Sequence, residues 1–240
     1  MFWKFANTNR FLDLSVVLLP WAAGATVVLV AVGVYLALFA SPPDYQQGET
    51  VRIMYVHVPA AWMGLLCYSI MAAASAAALV WRPPLAAMVA KCTAPIGASF
   101  TFLALLTGSL WGKPMWGAWW VWDARLTSML VLLFLYLGYM ALHNAFDDPG
   151  RGSRAASVLA LVGFVNVPII KFSVDWWNTL HQPSSMITAD GPAIHAGMLA
   201  PLLIMVGAYI AYYVWVLLLR VRGEFVAARI RAFQMRQAGG

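Results

Sequence analysis

The chain has 240 residues, 62% of them hydrophobic and only 10% charged, against about 25% charged in a soluble domain. With a mean hydropathy of +0.76, this composition excludes a water-soluble globule and predicts an all-α integral membrane protein, a single domain over 1–240. The net charge of +6 is what a topological bias of basic residues and attraction to anionic lipid produce; nothing in it points to nucleic acid.

Apolar runs long enough to cross the hydrocarbon predict a bundle of six transmembrane helices over 15–39, 59–81, 93–111, 126–146, 155–174 and 196–220. The first run follows Lys4 and Arg10 as a signal peptide would. Its apolar stretch exceeds a signal-peptide core, and Leu38 spoils a small-x-small cleavage site before Ser41, so it is expected to be a retained helix. In the fifth span, Asn166, Pro168 and Lys171 are candidates to break the helix.

Basic residues orient the bundle. Lys4, Arg10, Arg82, Lys91, Arg151, Arg154, Arg220, Arg222, Arg229, Arg231 and Arg236 fall on one side, against Arg52, Lys113, Arg125 and Lys171 on the other. The positive-inside rule then predicts both termini in the cytoplasm. The basic tail over 220–240 follows the sixth span, and its stretch 223–237 reads equally as an amphipathic helix on the inner surface or as a solvated tail. The cytoplasmic connections are short, with ordinary turn chemistry at Pro83–Pro84 and Asp147–Gly150. The outward ones, 40–58, 112–125 and 175–195, hold nearly every residue of chemical interest.

Cys67 and Cys92 lie at different depths, which argues against a disulfide, and neither belongs to a C-x-x-C or C-x-x-C-H motif. Both read as small packing residues, and the chain carries no thioether-linked haem of its own. Among the histidines, His57 enters the second span just before Pro59, His181 lies in the outward string DWWNTLHQPSS, His195 begins the sixth span, and His143 closes the fourth on the cytoplasmic side. A single interfacial histidine is ordinarily a polar cap. His57 and His181 depart from that reading because both lie outward and near tryptophans.

Between them runs WGKPMWGAWWVWDARLTS, the tryptophan-rich loop of about 111–128. Trp3, Trp21, Trp62, Trp81 and Trp215 are spaced as an aromatic belt would be. Trp119, Trp120 and Trp122 are crowded beside Asp123, and are expected in a short interfacial helix. Zinc held by the two histidines with Asp123, Asp175 or Asp190 would leave the tryptophans unexplained. Haem accounts for both, because its iron takes two axial ligands while its macrocycle offers a broad apolar face. Trp116, Trp119, Trp120 and Trp122 would line that face, and Arg52, Lys113 or Arg125 would meet the propionates.

The string W-G-x-W-W-x-W-D-x-R, the VHVPAAW entrance and WWNTLHQ resemble the WWD-motif haem-handling proteins of cytochrome c maturation. Within them, six spans with short loops are similar to the CcmC family, the haem exporter protein C type, over essentially the whole chain. The resemblance implies a non-enzymatic protein that holds haem b transiently and non-covalently at the periplasmic face of the bacterial inner membrane. It implies His57 and His181 as the axial metal ligands, and Trp116, Trp119, Trp120, Trp122, Asp123 and Arg125 as further haem-binding residues, with Asp123 fixing the loop through backbone N–H groups or by pairing with Arg125. Implied partners are the haem chaperone CcmE, one of whose histidines becomes joined to a haem vinyl group, the small subunit CcmD, and the ABC components CcmA and CcmB. No nucleotide-binding motif lies in this chain. Two alternatives stay open: a haem permease subunit of an ABC-type complex, and a bis-His membrane cytochrome for electron transfer.

Overall fold

The computed structural model describes residues 8–181 and 194–238; Trp3, Lys4 and Asp190 lie outside them. No β-strand forms among the described residues. The helices are α1 Thr8–Tyr35, α2 Met54–Val80, α3 Pro84–Trp116, α4 Ala124–Asn144, α5 Pro149–Gly163, α6 Asn166–Trp176 and α7 Ala196–Ala238. A wide turn of π-helix, Leu36–Ala40, ends α1, and a short 3₁₀ turn, Glu49–Ile53, leads into α2. With α5 and α6 counted as one crossing, the described residues supply six helical spans long and apolar enough to cross a membrane.

The bundle is built around α2 and α3, which pack along their lengths. Their contact is rich in small residues, with Ala60, Gly64, Ala90, Ala94, Gly97, Ala98 and Ala104 buried there. Small side chains let backbones approach, which drives helix association in lipid where hydrophobic burial gains nothing. Tyr136 of α4 inserts its ring into this seam, and its hydroxyl donates to the Gly64 carbonyl at 2.8 Å. A Cβ at Gly97 would sit 2.2 Å from that hydroxyl oxygen, so only glycine admits the ring. α7 packs on α2 and α3, and α1 packs chiefly on α7, with most of its own surface outward.

The fifth span is broken as its sequence suggests. Phe164 and Val165 turn between α5 and α6, and Pro168 falls in the first turn of α6, where its missing N–H leaves no intrahelical bond unmade. Asn166 donates its side-chain N–H to the Ser128 carbonyl of α4 at 2.8 Å, which repairs polar balance at the break.

Two expectations change. α3 does not stop at Trp111 but runs to Trp116, through Pro114, and ends at Gly117 with φ 76°, the left-handed cap that glycine supplies. Asp123 then caps α4, and the chain over 118–122 between the two helices takes no helical form. Trp119, Trp120 and Trp122 are therefore in irregular backbone rather than in an interfacial helix, with the Trp119 carbonyl accepting from Ser109 Oγ at 2.7 Å. Over the basic tail α7 continues as helix to Ala238, with 229–237 exposed. Lys91 of α3 pairs with Glu224 at 2.8 Å, and Phe225 packs near Phe11, which hold the extension against its neighbours.

Candidate functional site

At the end of the bundle where α3 meets α4, a cavity of about 930 Å³ opens between α2, α3, α4, α6, α7 and the connector after α1. That is the upper part of the range for small-molecule sites. His57, Trp62, Trp111, Trp116, Arg125, Lys171, His181 and His195 all contribute to its wall. The connector is held over the mouth by Trp111, whose indole N–H donates to Gln47 Oε1 at 3.0 Å.

His57 stands on the first turn of α2, which starts earlier than the sequence suggested and so places Pro59 inside the helix, leaving the Tyr55 carbonyl without its usual intrahelical donor. Its Nδ1 lies 3.1 Å from Thr107 Oγ1. The Thr107 hydroxyl proton already goes to the Leu103 carbonyl at 2.7 Å, so toward His57 this oxygen can only accept. Nδ1 therefore carries the proton and Nε2 keeps its lone pair. Trp111 stands edge-on to the imidazole, ring centroids 5.7 Å apart.

His181 reaches the same cavity from the segment after α6. Asp123 caps α4 by accepting from the Leu126 N–H through Oδ1 at 2.8 Å. Its Oδ2 accepts from the Thr179 hydroxyl and from His181 Nδ1, the latter at 3.1 Å. The His181 backbone N–H donates in turn to Thr179 Oγ1 at 3.1 Å. A carboxylate only accepts, so His181 also has its proton on Nδ1 and a bare Nε2.

Burial alone would raise the Asp123 pKa, but the hydrogen bonds from Thr179, the Leu126 N–H and His181 outweigh it and lower the value below the model-peptide 3.8. His181 is pushed below 6.5, chiefly by burial, with Asp123 partly opposing. Near pH 7 the pair is thus a carboxylate against a neutral imidazole, the state that leaves Nε2 available to a metal. Among the described residues no three His, Cys, Asp or Glu side chains gather as a metal-binding group, so the two histidines face the cavity without the further protein ligands zinc would take.

The heme exporter protein C family matches residues 1–236 of this chain. The chain belongs to the heme exporter protein C family. It is 56% identical to the heme exporter protein C of Bradyrhizobium diazoefficiens over 233 residues, covering 97% of this chain and 88% of the relative. It is 50% identical to that of Escherichia coli strain K12 over 204 residues, 85% and 82% of the two chains. A putative cytochrome c biosynthesis ccmC-like mitochondrial protein of Marchantia polymorpha is 50% identical over 181 residues, 75% and 76% of the two chains.

In this member of the heme exporter protein C family, the sequence-predicted residues divide into two groups. His57, His181, Trp116 and Arg125 share the cavity wall. Asp123 stands behind His181, and Trp119, Trp120 and Trp122 lie outside the wall. Trp119 and Trp122 are 55% and 75% exposed, and Trp120 and Trp122 meet edge to face at 5.5 Å. The Trp120 indole N–H is buried without a partner. The three rings stand outside the cavity wall, on a segment that the left-handed turn at Gly117 folds back along α3, where Ser109 Oγ holds the Trp119 carbonyl.

Asp123 does bind backbone N–H, but its second partner is His181 and not Arg125. Arg125 reaches α6 instead, donating to Ser173 Oγ at 3.2 Å and to the Ile170 and Lys171 carbonyls at 3.4 Å. It still presents part of its guanidinium to the cavity. Arg52 is engaged by Glu49 and the Ala37 carbonyl, and Lys113 by the Gly117 carbonyl; neither reaches the wall. Sequence reasoning missed Thr107, Thr179 and Trp111 as partners of the histidines. The signal for Thr107 was a hydroxyl in an otherwise apolar stretch, and Thr179 stood two residues before His181.

Proposed function

We propose that this chain binds haem b non-covalently and transiently in the cavity, with His57 and His181 as the axial ligands of the iron, and passes it on during maturation of c-type cytochromes. The observation that carries the reading is the matched tautomer of the two histidines. Both line one cavity, and the bond each Nδ1–H makes to its own partner leaves Nε2 as the nitrogen that a haem iron would take. Membership of the heme exporter protein C family supports the cargo.

The residues present fit haem. Trp116 and Trp111 give aromatic surface beside the histidines, the cavity is large, and Arg125 and Lys171 on its wall are cations suited to propionates. The distribution of basic residues supports both termini in the cytoplasm, and hence a cavity on the periplasmic face of a bacterial inner membrane. On this reading the receiver is the haem chaperone CcmE, and CcmD, CcmA and CcmB are the companions in the membrane. The exposed Trp119 and Trp122, next in the chain after Trp116 of the cavity wall, are where such a receiver would meet the haem edge. The chain holds and delivers; it catalyses no reaction of its own.

The test is the absorption spectrum and pyridine haemochrome of the purified protein, wild type beside His57→Ala, His181→Ala and the double variant. A six-coordinate, bis-His spectrum in the wild type that is lost in the double variant is expected. A double variant that retains it would overturn the ligand assignment. Haem that cycles with quinone but is never handed to the chaperone would mark a resident cytochrome instead.

A further inference from the structure

His57 and His181 have the same tautomer but unlike partners. His57 Nδ1–H donates to a neutral hydroxyl, Thr107 Oγ1. His181 Nδ1–H donates to the Asp123 carboxylate, whose side chain is only 5% exposed. We propose that the two imidazoles are unequal ligands: His181 is the strong, retained one and His57 the exchangeable one, with Asp123 and Thr107 as the positioning residues that create the difference. The proposal rests on reading the cavity as a haem site.

A hydrogen bond to an ionised acceptor is roughly twice as strong as one between neutral groups, and more so where water is excluded. By drawing on the Nδ1 proton, the carboxylate enriches the ring and makes Nε2 a better donor to a metal. The Thr107 oxygen carries no net charge, so it orients His57 without equal enrichment.

Connectivity points the same way. A ligand on a loop would ordinarily be the one that moves, and a ligand on a helix the one that stays. Here the loop is closed on itself. The His181 backbone bonds Thr179, Thr179 bonds Asp123, and Asp123 bonds both the His181 ring and the start of α4. Withdrawing His181 means breaking a charge-assisted bond within this ring. Turning His57 away from the cavity breaks only bonds to neutral acceptors, Thr107 Oγ1 and the Ala104 carbonyl. Cargo therefore leaves by opening on the His57 side, where a ligand supplied by the receiver takes its place.

The experiment uses the full-length, haem-loaded protein in detergent, with imidazole and carbon monoxide as exchange probes. His57→Ala is expected to keep haem that imidazole returns to six-coordination, whereas His181→Ala loses haem to a greater extent. Asp123→Asn keeps an oxygen able to cap α4, so folding survives. It should weaken haem retention about 10–100-fold and move the midpoint potential positive, since a less basic imidazole favours ferric iron less. Thr107→Val should weaken retention by less than tenfold and raise carbon monoxide affinity without that shift in potential. Equal loss of haem in His57→Ala and His181→Ala, with an unmoved potential in Asp123→Asn, would overturn the inequality while leaving the haem site standing. A wild-type spectrum without two histidine ligands would overturn the site itself.

Discussion

The indole of Trp116 stands edge-on to the imidazole of His181, with ring centroids 4.8 Å apart. The last residue of α3 thus buttresses a histidine that enters from the far side of α6. Such aromatic contacts contribute about 1 kcal/mol beyond the area they bury. Trp116→Ala is expected to lower haem occupancy roughly fivefold, by that energy, as read by haemochrome per mole of protein. Trp119→Ala and Trp122→Ala, whose rings stand outside the cavity, should leave occupancy near wild type and lower transfer to the chaperone. Equal loss of occupancy in all three would place the outer rings against the cargo.

The acid side of the pH profile follows from His181. Its folded-state pKa lies below 6.5, so as pH falls through 6.5 the unfolded chain takes up the proton first. The stability contributed by the neutral ring is complete above 6.5 and is lost as pH drops from there toward the folded value. Asp123 behaves as a depressed carboxylate, its contribution present above 3.8 and lost as pH falls through the lower folded value. Haem retention should therefore be flat from neutral pH upward and decline below about 6.5. In Asp123→Asn the influence that raises the His181 pKa is gone, so the decline should begin at lower pH although retention is weaker throughout. A titration of the bound-haem absorbance checks both.

Gly108 sets the room available to the other histidine. A Cβ there would lie 2.9 Å from His57 Cε1, closer than real side-chain contacts allow, so the ring must swing. Gly108→Ala should fold normally and shift the haem spectrum toward loss of one axial ligand. A spectrum identical to wild type would mean that the ring takes the methyl group without leaving its place.

Deeper in the bundle, Gly97→Ala drives a methyl group into Tyr136, 2.2 Å from its hydroxyl. Overpacking of this kind costs about 1–3 kcal/mol. Tyr136→Phe loses the bond to the Gly64 carbonyl and should cost about 1 kcal/mol. The double variant should stay as damaged as Gly97→Ala, since the Phe ring keeps the carbons that would lie 2.3 and 2.5 Å from the new methyl group. Thermal unfolding in detergent, followed by circular dichroism, measures all three.

The spans and the break near Asn166 were legible because apolar length and proline are local properties. So was the pairing of His57 with His181, since both sit at span ends on one side. The reach of α3 to Trp116 was not, because Gly112, Lys113 and Pro114 read as a loop, while in the fold they continue the helix until Gly117 turns it. The role of Asp123 was half legible. Its capping of Leu126 is a three-residue relationship, whereas its bond to His181 joins residues 58 apart, and the nearer Arg125 offered a charge partner that α6 claims instead. Thr107 stood out only as a hydroxyl in an apolar stretch, and its partner was not legible, because the packing of α2 on α3 is what brings it to His57.

α7 spans 43 residues, about 65 Å at the rise of an α-helix, more than twice the hydrocarbon thickness. One end of this rod carries Met198 and Leu202 in the cavity wall, and the other carries Arg222, Arg229, Arg231 and Arg236. Because no proline interrupts it after Pro201, the rod has no hinge of that kind between the two regions. The Lys91–Glu224 pair, inside that basic stretch, ties the far end of the rod to α3, the same helix that carries Trp111 and Trp116 to the cavity wall.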